Sequence, residues 1–280
     1  MMKLELLAMT AVPCRVGESP IWDGEAGRIR WCDIDGQAIW SCHLDGGDPV
    51  CVLFDEPVGA IGLAGDGWLW VALRRTVGLW HVDRGRFETV ADIELGSPAA
   101  RLNDGKVAPD GSFWIGSTAL AEIQARSSSL YRVGGDGKVT VKATGLGISN
   151  GLAFHGGRVF LADTATGALG CYTETAGPLA DPLWSACLTR EDGLPDGGLC
   201  DEQGRYLSAG VTAGCLNIFA GDGRHVQRMP VPVSAPTSLA FAGPCNDHLV
   251  VTSLRRPQSG RHDGKTLIFK YRQGDASEPL

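Results

Sequence analysis

The chain has 280 residues, 39 of them glycine, and a formal net charge of −7. The negative charge and the lack of a long basic run exclude nucleic acid as an expected partner. No apolar run approaches the roughly 20 residues that a membrane-crossing helix needs, so we expect no membrane partner either. The frequent glycines favour many tight turns between short strands.

The N-terminal segment and the cysteines bear on where the protein works. Residues 1–13 contain a short apolar segment that Glu5 interrupts, and they lack the charged leader and long apolar core of a signal peptide. Nine cysteines, an odd number without a CxxC pair, are scattered along the chain. This pattern favours small buried side chains in a reducing compartment over a disulfide framework or a zinc site. We therefore expect a cytoplasmic protein.

One repeated unit covers nearly the whole chain. Each unit has a short strand, a Gly or Asp turn, a second strand that opens on an apolar residue, a third strand and, in most units, a weaker fourth. The residues that open the second strands are spaced 40 to 47 residues apart and are Ile29, Leu69, Phe113, Val159, Tyr206 and Leu249. Four antiparallel strands in a unit of about 45 residues are typical of a propeller blade. The sequence therefore predicts an all-β fold, a six-bladed β-propeller that forms a single domain over residues 1–280.

The first strands follow in chain order and the last unit is incomplete. Their sequences are SPIW from Ser19, AIGLA from Ala60, KVA from Lys106, GLAF from Gly151, GLC from Gly198 and SLAF from Ser238. The last unit has a clear third strand at residues 267–271 and little beyond it. We expect residues 4–7 to supply its fourth strand, because closing the ring in this way would protect an otherwise open sheet edge.

Oxygen-bearing side chains recur at one position, nine to eleven residues before the residue that opens each second strand. They are Glu18, Asn103, Asn150 and Asp196, whereas units two and six offer only Gly59-Ala60 and Thr237. The first strand of each propeller blade lines the central channel, so these four side chains are predicted to converge on one axis.

A turn is the competing interpretation of each of these segments. Asn103-Asp104-Gly105, Asn150-Gly151 and Pro195-Asp196-Gly197 all have compositions that favour turns. Taken together they favour a site instead, because buried carboxylates that meet near an axis need a cation or a proton. Two carboxylates with one or two amides form an all-oxygen donor set, which favours Ca²⁺, Mg²⁺ or Mn²⁺ over Zn²⁺.

Five segments resemble the SMP-30/gluconolactonase/regucalcin family, in the family's order and over nearly the whole chain. They are GESPIWD from Gly17, RLNDGKVAPDGSFWIGS from Arg101, ISNGLAF from Ile148, LPDGGLCDEQG from Leu194 and PTSLAFAGP from Pro236. The resemblance implies a six-bladed propeller that hydrolyses sugar lactones with one divalent metal ion in the channel, Ca²⁺ first among the candidates.

The same resemblance implies roles for single residues. Glu18, Asn150 and Asp196 match the metal ligands, and Asp196 would also be the catalytic acid or base. Arg101 and Asn103 match the substrate-binding pair, and Glu122 lies only approximately where a further substrate-binding glutamate is expected.

Three segments depart from the family pattern, and they bear on the choice of substrate. They are residues 117–129, residues 206–214 and the charged residues 255–265, RRPQSGRHDGK. Two alternatives to a sugar lactonase remain open. One is an arylesterase or phosphotriesterase-like hydrolase on the same scaffold, and the other is a calcium-binding propeller without catalysis. The Arg101–Asn103 pair argues against the second, since an ion-binding module has no need of groups that bind a polyol.

Overall fold

The structure is a computed structural model that describes residues 2–258 and 260–272. Its strands form six four-stranded antiparallel sheets arranged as the blades of a propeller, as the repeat predicted. The only helical element in the described ranges is a short 3₁₀ helix, Leu120–Ala125. No helix in those ranges is both long enough and apolar enough to span a bilayer.

The strands are numbered in chain order, and each blade is given from its inner to its outer strand. Blade one contains β2 (Gly17–Asp23), β3 (Arg28–Asp33), β4 (Ala38–Cys42) and β5 (Val50–Leu53), and blade two contains β6 (Ala60–Gly65), β7 (Trp68–Ala72), β8 (Thr76–His81) and β9 (Arg86–Asp92). Blade three contains β10 (Arg101–Val107), β11 (Phe113–Thr118), β12 (Ser128–Val133) and β13 (Val139–Leu146), and blade four contains β14 (Ser149–His155), β15 (Arg158–Asp163), β16 (Ala168–Thr173) and β17 (Trp184–Cys187). Blade five contains β18 (Pro195–Cys200), β19 (Tyr206–Gly210), β20 (Cys215–Phe219) and β21 (His225–Pro230), and blade six contains β22 (Pro236–Ala242), β23 (His248–Ser253), β24 (Leu267–Arg272) and β1 (Lys3–Met9).

Blade six is assembled from two distant parts of the chain. Strand β1 pairs antiparallel with β24, from Lys3 opposite Arg272 to Met9 opposite Leu267. The buried Met2 links the start of the chain to blade five as well, because its backbone N–H donates to the side chain of Gln227 in β21 at 2.9 Å. The outer edge of β24 is thus covered by the first strand of the chain, which prevents it from pairing with another molecule.

The core lies between neighbouring blades. The six residues that open the second strands are all at most 1% exposed. Phe113 of blade three stacks on Trp70 of blade two with ring centroids 5.7 Å apart, and Phe160 of blade four stacks on Tyr206 of blade five at 4.8 Å. These aromatic contacts hold blade two against blade three and blade four against blade five.

The inner strands β2, β6, β10, β14, β18 and β22 contact one another in a closed ring around the channel. We call the end of the channel where these strands begin the site end, and the other the far end. Each second strand returns to the site end, where it connects to the third strand. This connection has three or four residues in blades one, two, four and five, but spans residues 119–127 in blade three and 254–266 in blade six.

Five of the nine cysteines are buried, three are exposed and Cys200 is half-buried. All nine lie within the described residues and are unpaired. The expected burial is observed for Cys14, Cys32, Cys42, Cys171 and Cys215, but it is wrong for Cys51, Cys187 and Cys245, which are exposed on outer strands or loops. Burial raises the pKa of the Cys14 thiol to about 12, which keeps it protonated and unreactive.

Candidate functional site

A β-bulge interrupts five of the six inner strands at the same place. In β2, for example, the register gains one residue between Glu18 and Ile21. The equivalent bulges lie between Leu102 and Gly105, Asn150 and Ala153, Pro195 and Gly198, and Pro236 and Leu239. The inner strand of blade two keeps its register in this region, and blade two is also a unit without a polar residue there. A bulge re-aims the side chains beside it, so the repeated bulge is the local feature that turns polar residues into the channel.

The turn interpretation of three segments is therefore wrong. Asn103-Asp104-Gly105 lies inside β10, Asn150-Gly151 inside β14 and Pro195-Asp196-Gly197 inside β18. Their turn-like composition has a physical reason, because bulges demand the same unusual backbone conformations as turns. Gly151, for instance, has a φ of 68°, and Ser19 in the first bulge has a φ of 49°.

Three of the predicted residues form one hydrogen-bonded chain across blades three and four. The guanidinium of Arg101 donates to Asn103 Oδ1 at 2.7 Å, and Asn103 Nδ2 donates to Asn150 Oδ1 at 2.8 Å. Asn150 Nδ2 in turn donates to Thr164 Oγ1 at 2.7 Å. This chain fixes the orientation of both amides, so that each oxygen and each N–H₂ group has a defined direction.

Glu18 and Asp196 are buried carboxylates of the same site. They are 6% and 7% exposed. Burial raises the pKa of Glu18 well above its usual value, and the nearby Asp196 and Asp104 raise it further. Burial and Asp104 likewise raise the pKa of Asp196, while Arg101 and Arg256 act in the opposite direction. Carboxylates that raise each other's pKa favour a bound proton or a bound cation.

Asp104 is a channel residue that sequence reasoning did not select. It is 5% exposed, and its Oδ2 accepts from the backbone N–H of Leu152 at 3.0 Å. Burial raises its pKa, and Lys106 lowers it. Its position directly after Asn103 could have indicated a place in the channel. A bulge directs two consecutive side chains toward the same side of the strand, so Asp104 accompanies Asn103.

Glu122 is placed differently from the other predicted residues. It lies in the 3₁₀ helix of the long blade-three connection and its side chain is exposed. No hydrogen bond or ion pair joins it to Arg101 or Asn103 in the described part of the chain. Its role in substrate binding stays a prediction.

The donor set suits a hard divalent cation. Within residues 2–258 and 260–272, no three His, Cys, Asp or Glu side chains stand together as a metal-binding group. The predicted set of Glu18, Asn150 and Asp196 contains only two such side chains, because its third member is an amide. Two buried carboxylates beside a fixed amide oxygen nevertheless match the oxygen ligands that Ca²⁺ and Mg²⁺ take.

A separate cavity of about 410 Å³ opens at the far end of the channel. It is lined by the later residues of five inner strands, with Trp22, Leu63 and Phe241 among the apolar ones. Lys106 lies between this cavity and the site, and its Nζ donates to the carbonyl of Gly198 at 2.7 Å. Asp104 also lines this cavity, so the cavity borders the site from the far end of the channel.

Comparison with known proteins gives consistent matches over most of the chain. A family model for the SMP-30/gluconolactonase/LRE-like region matches residues 16–255. The chain is 32% identical over 277 residues to the pentonolactonase of Haloferax volcanii, covering 95% of this chain and 90% of that enzyme. It is 30% identical over 251 residues to the 6-deoxy-6-sulfogluconolactonase of Pseudomonas putida, covering 88% and 86% of the two chains. The crystal structure of regucalcin, a calcium-binding protein from Agrobacterium tumefaciens, matches with a TM-score of 0.85 and 25% identity, covering 94% and 93%.

Proposed function

Because this chain belongs to the SMP-30/gluconolactonase/LRE-like family, we propose that it is a metal-dependent hydrolase that opens sugar lactones to aldonic acids. The observation that supports the proposal most is that the buried Glu18 and Asp196 both interact electrostatically with Arg101, which begins the hydrogen-bonded chain to Asn103 and Asn150. Both curated relatives described above are named as sugar lactonases, which supports the same reaction class.

Glu18, Asn150 and Asp196 are the residues that would hold the metal ion. Ca²⁺ is the first candidate for this set, followed by Mg²⁺, Mn²⁺ and Zn²⁺. When bound, such an ion supplies Lewis acidity to the carbonyl group of the substrate. The hydrogen bonds around Asn150 support the assignment, because they hold its amide in one orientation.

Asp196 is the proposed acid and base of the reaction. It takes a proton from the water that adds to the lactone carbonyl, and it returns that proton to the ring oxygen as the ring C–O bond breaks. Contact with a metal ion lowers the pKa of a carboxylate, which weakens it as a base. Burial and Asp104 raise the pKa of Asp196, so they oppose that loss of basicity.

Arg101 and Asn103 are the proposed substrate-orienting pair. The guanidinium of Arg101 carries several donors, and the Asn103 amide is held by its own hydrogen bonds to Asn150 and Ser149. The guanidinium of Arg101 can donate to sugar hydroxyls, whereas Asn103 Oδ1 can accept from one, because both N–H groups of the Asn103 amide are already used. Fixed contacts of this kind orient the lactone for attack. Glu122, on the 3₁₀ helix at the same end of the channel, is proposed as a further substrate contact at the mouth.

The test is an assay of proton release after the metal has been stripped with a chelator. Five- and six-carbon aldonolactones and aryl esters are assayed side by side, while Ca²⁺, Mg²⁺, Mn²⁺ and Zn²⁺ are added back separately. We expect one of these ions to restore lactone opening above the spontaneous rate. Faster turnover of the esters would favour the arylesterase alternative. Tight Ca²⁺ binding without any turnover would favour the non-catalytic one.

The expected cytoplasmic location, and the absence of nucleic-acid and membrane partners, stay predictions.

A further inference from the structure

Thr164 lies between two of the proposed metal ligands. It follows β15 in the connection to β16 of blade four, and it is 9% exposed. Its Oγ1 accepts from Asn150 Nδ2 at 2.7 Å and donates to the carbonyl of Pro195, the residue directly before Asp196, at 2.6 Å. One hydroxyl group thus joins the amide ligand of blade four to the backbone that carries the carboxylate ligand of blade five.

The two ends of the hydrogen-bonded chain determine the direction of every bond in it. At one end the Arg101 guanidinium can only donate, and at the other end the Pro195 carbonyl can only accept. Thr164 has a single hydroxyl proton, which it gives to Pro195, so its oxygen can only accept from Asn150. Asn150 must therefore turn its N–H₂ group to Thr164 and its Oδ1 to Asn103 Nδ2.

This orientation matters because only one end of the Asn150 amide can bind a cation. An amide oxygen has two lone pairs. The hydrogen bond from Asn103 Nδ2 uses one of them, which leaves the other for a metal ion. An amide rotated by half a turn would direct its N–H₂ group toward the cation instead. Asn150 is only 4% exposed, so bulk water is poorly placed to hold the amide if Thr164 does not.

We propose that Thr164 is a positioning residue, whose hydroxyl group keeps Oδ1 of Asn150 directed at the metal ion. This inference rests on the proposed metal-dependent function, and it adds a residue that supports the metal without binding it. Hydrogen-bond partners of metal ligands typically contribute about 10- to 100-fold to metal affinity, because they hold the ligand in its binding orientation.

The experiment measures the metal affinity of the chelator-stripped protein by calorimetry, with whichever of Ca²⁺, Mg²⁺, Mn²⁺ and Zn²⁺ binds the wild type most tightly. Thr164→Val keeps nearly the shape of threonine but lacks the hydroxyl group, whereas Thr164→Ser keeps that group. We expect Thr164→Val to raise Kd about 10- to 100-fold, and Thr164→Ser to keep nearly the wild-type Kd. A loss of affinity that is as large in the serine variant as in the valine variant would overturn the inference.

Thr166→Val is the matched control. It is the same substitution in the same connection, but Thr166 is exposed and its Oγ1 donates to the carbonyl of Asp163 at 3.3 Å. We expect this variant to bind metal with the wild-type Kd. A loss of affinity equal to that of Thr164→Val would show that the connection as a whole is sensitive, and would count against a specific role of Thr164.

An Asn150→Asp background separates an effect through residue 150 from a change elsewhere in the site. A carboxylate has two equivalent oxygens, so it can bind a cation whichever oxygen faces Thr164. We expect Thr164→Val to raise Kd by no more than about 2-fold in this background, because the two positions are coupled. The same loss of affinity in both backgrounds would mean that Thr164 acts on the strand of Asp196 instead, and would overturn the inference.

The side-chain amide signal of Asn103, followed by NMR in the metal-free protein, separates failure of the inference from failure of the proposed function. Asn103 Nδ2 donates to Asn150 Oδ1, so its proton chemical shift reports whether that oxygen is in place. If the wild type binds metal but Thr164→Val leaves Kd unchanged, the function stands and the inference fails. If no divalent ion binds, the metal-dependent function fails. A change of the Asn103 signal in Thr164→Val, but not in Thr164→Ser, then still supports the positioning role, and an unchanged signal overturns it.

Discussion

At the scale of single residues, the channel brings together the carboxylates of Glu18, Asp104 and Asp196, all of which are buried. Glu18 and Asp196 each have a pKa raised mainly by burial, and Asp104 adds to the effect on both. Arg101 opposes this charge, but burial also lowers the pKa of its own guanidinium. The site therefore favours a bound cation. Protons and a metal ion compete for the same carboxylates, so metal binding depends on pH.

This linkage has a definite sign. The folded-state pKa of both carboxylates lies above the unfolded value, so their contribution favours the fold at low pH and is lost as the pH rises through the folded-state pKa. A bound metal ion offsets this loss of stability at high pH, because its positive charge takes the place of the protons on the carboxylates. We therefore expect metal saturation to raise Tm by about 5–10 °C at about pH 8, and by much less at about pH 5. Thermal unfolding with and without metal at each pH tests this, and an equal increment at both pH values would contradict it.

Gly151 shows how one backbone position supports the site. It follows Asn150 in the bulge with a φ of 68°, and an added Cβ would lie 2.6 Å from Tyr206 Oη and 2.8 Å from Ala162 Cβ. We expect Gly151→Ala to lower the free energy of unfolding by about 3 kcal/mol, from backbone strain and overlap together, and to reduce kcat by displacing Asn150.

The control for this substitution is Gly157→Ala in the β14–β15 hairpin. Gly157 has a φ of 73° and nothing within 4 Å of an added Cβ. The Gly157→Ala substitution therefore measures the effect of the backbone conformation alone, a loss of about 1 kcal/mol in the free energy of unfolding. Urea denaturation of both variants gives the comparison, and equal losses would show that the contacts with Tyr206 and Ala162 do not constrain Gly151.

At the scale of strands, the repeated bulge is the feature that the sequence could not reveal. Turns and bulges draw on the same Gly, Asn and Asp residues, so composition alone favoured a turn at Asn150-Gly151. The similar distance of Glu18, Asn103, Asn150 and Asp196 from the next second strand, nine to eleven residues, was the stronger signal. Similar positions in a repeat become similar positions around an axis. Asp104 was considered only as part of a turn, because it lies one residue after the position that recurs in the repeat.

Strand β1 makes the stability of blade six depend on the start of the chain. Deleting residues 1–9 would remove the ladder to β24 and the buried Met2, and would leave an open sheet edge. We expect a loss of about 10 °C or more in Tm, together with increased light scattering from association.

Leu7→Thr is the control for that deletion. Leu7 is 49% exposed on the same strand, so its substitution keeps the ladder and is expected to change stability by no more than about 0.5 kcal/mol. A deletion variant as stable as Leu7→Thr would contradict the structural role of β1.

At the scale of the whole molecule, the spacing of the second strands was sufficient to predict the six blades, because each blade buries its faces only against its neighbours. The resemblance to the family, drawn from five segments, is confirmed by the match over residues 16–255. The two long connections at the site end, which carry Glu122 and Arg256, follow no repeat. Their place could therefore not be derived from periodicity, and they are where substrate choice is expected to differ among relatives.

The central claim is that the carboxylates presented by the bulges form one metal-holding hydrolytic site. The most direct measurement is the kcat of Asp196→Asn on the best lactone, taken together with its metal affinity. We expect kcat to fall about 100- to 10 000-fold, as for loss of an acid or base, with a smaller fall in metal affinity because Glu18 and Asn150 remain. Asp201→Asn, which alters a buried carboxylate directly after the inner strand of the same blade, controls for destabilisation and should retain its kcat. A metal-loaded Asp196→Asn protein with wild-type kcat would contradict the account.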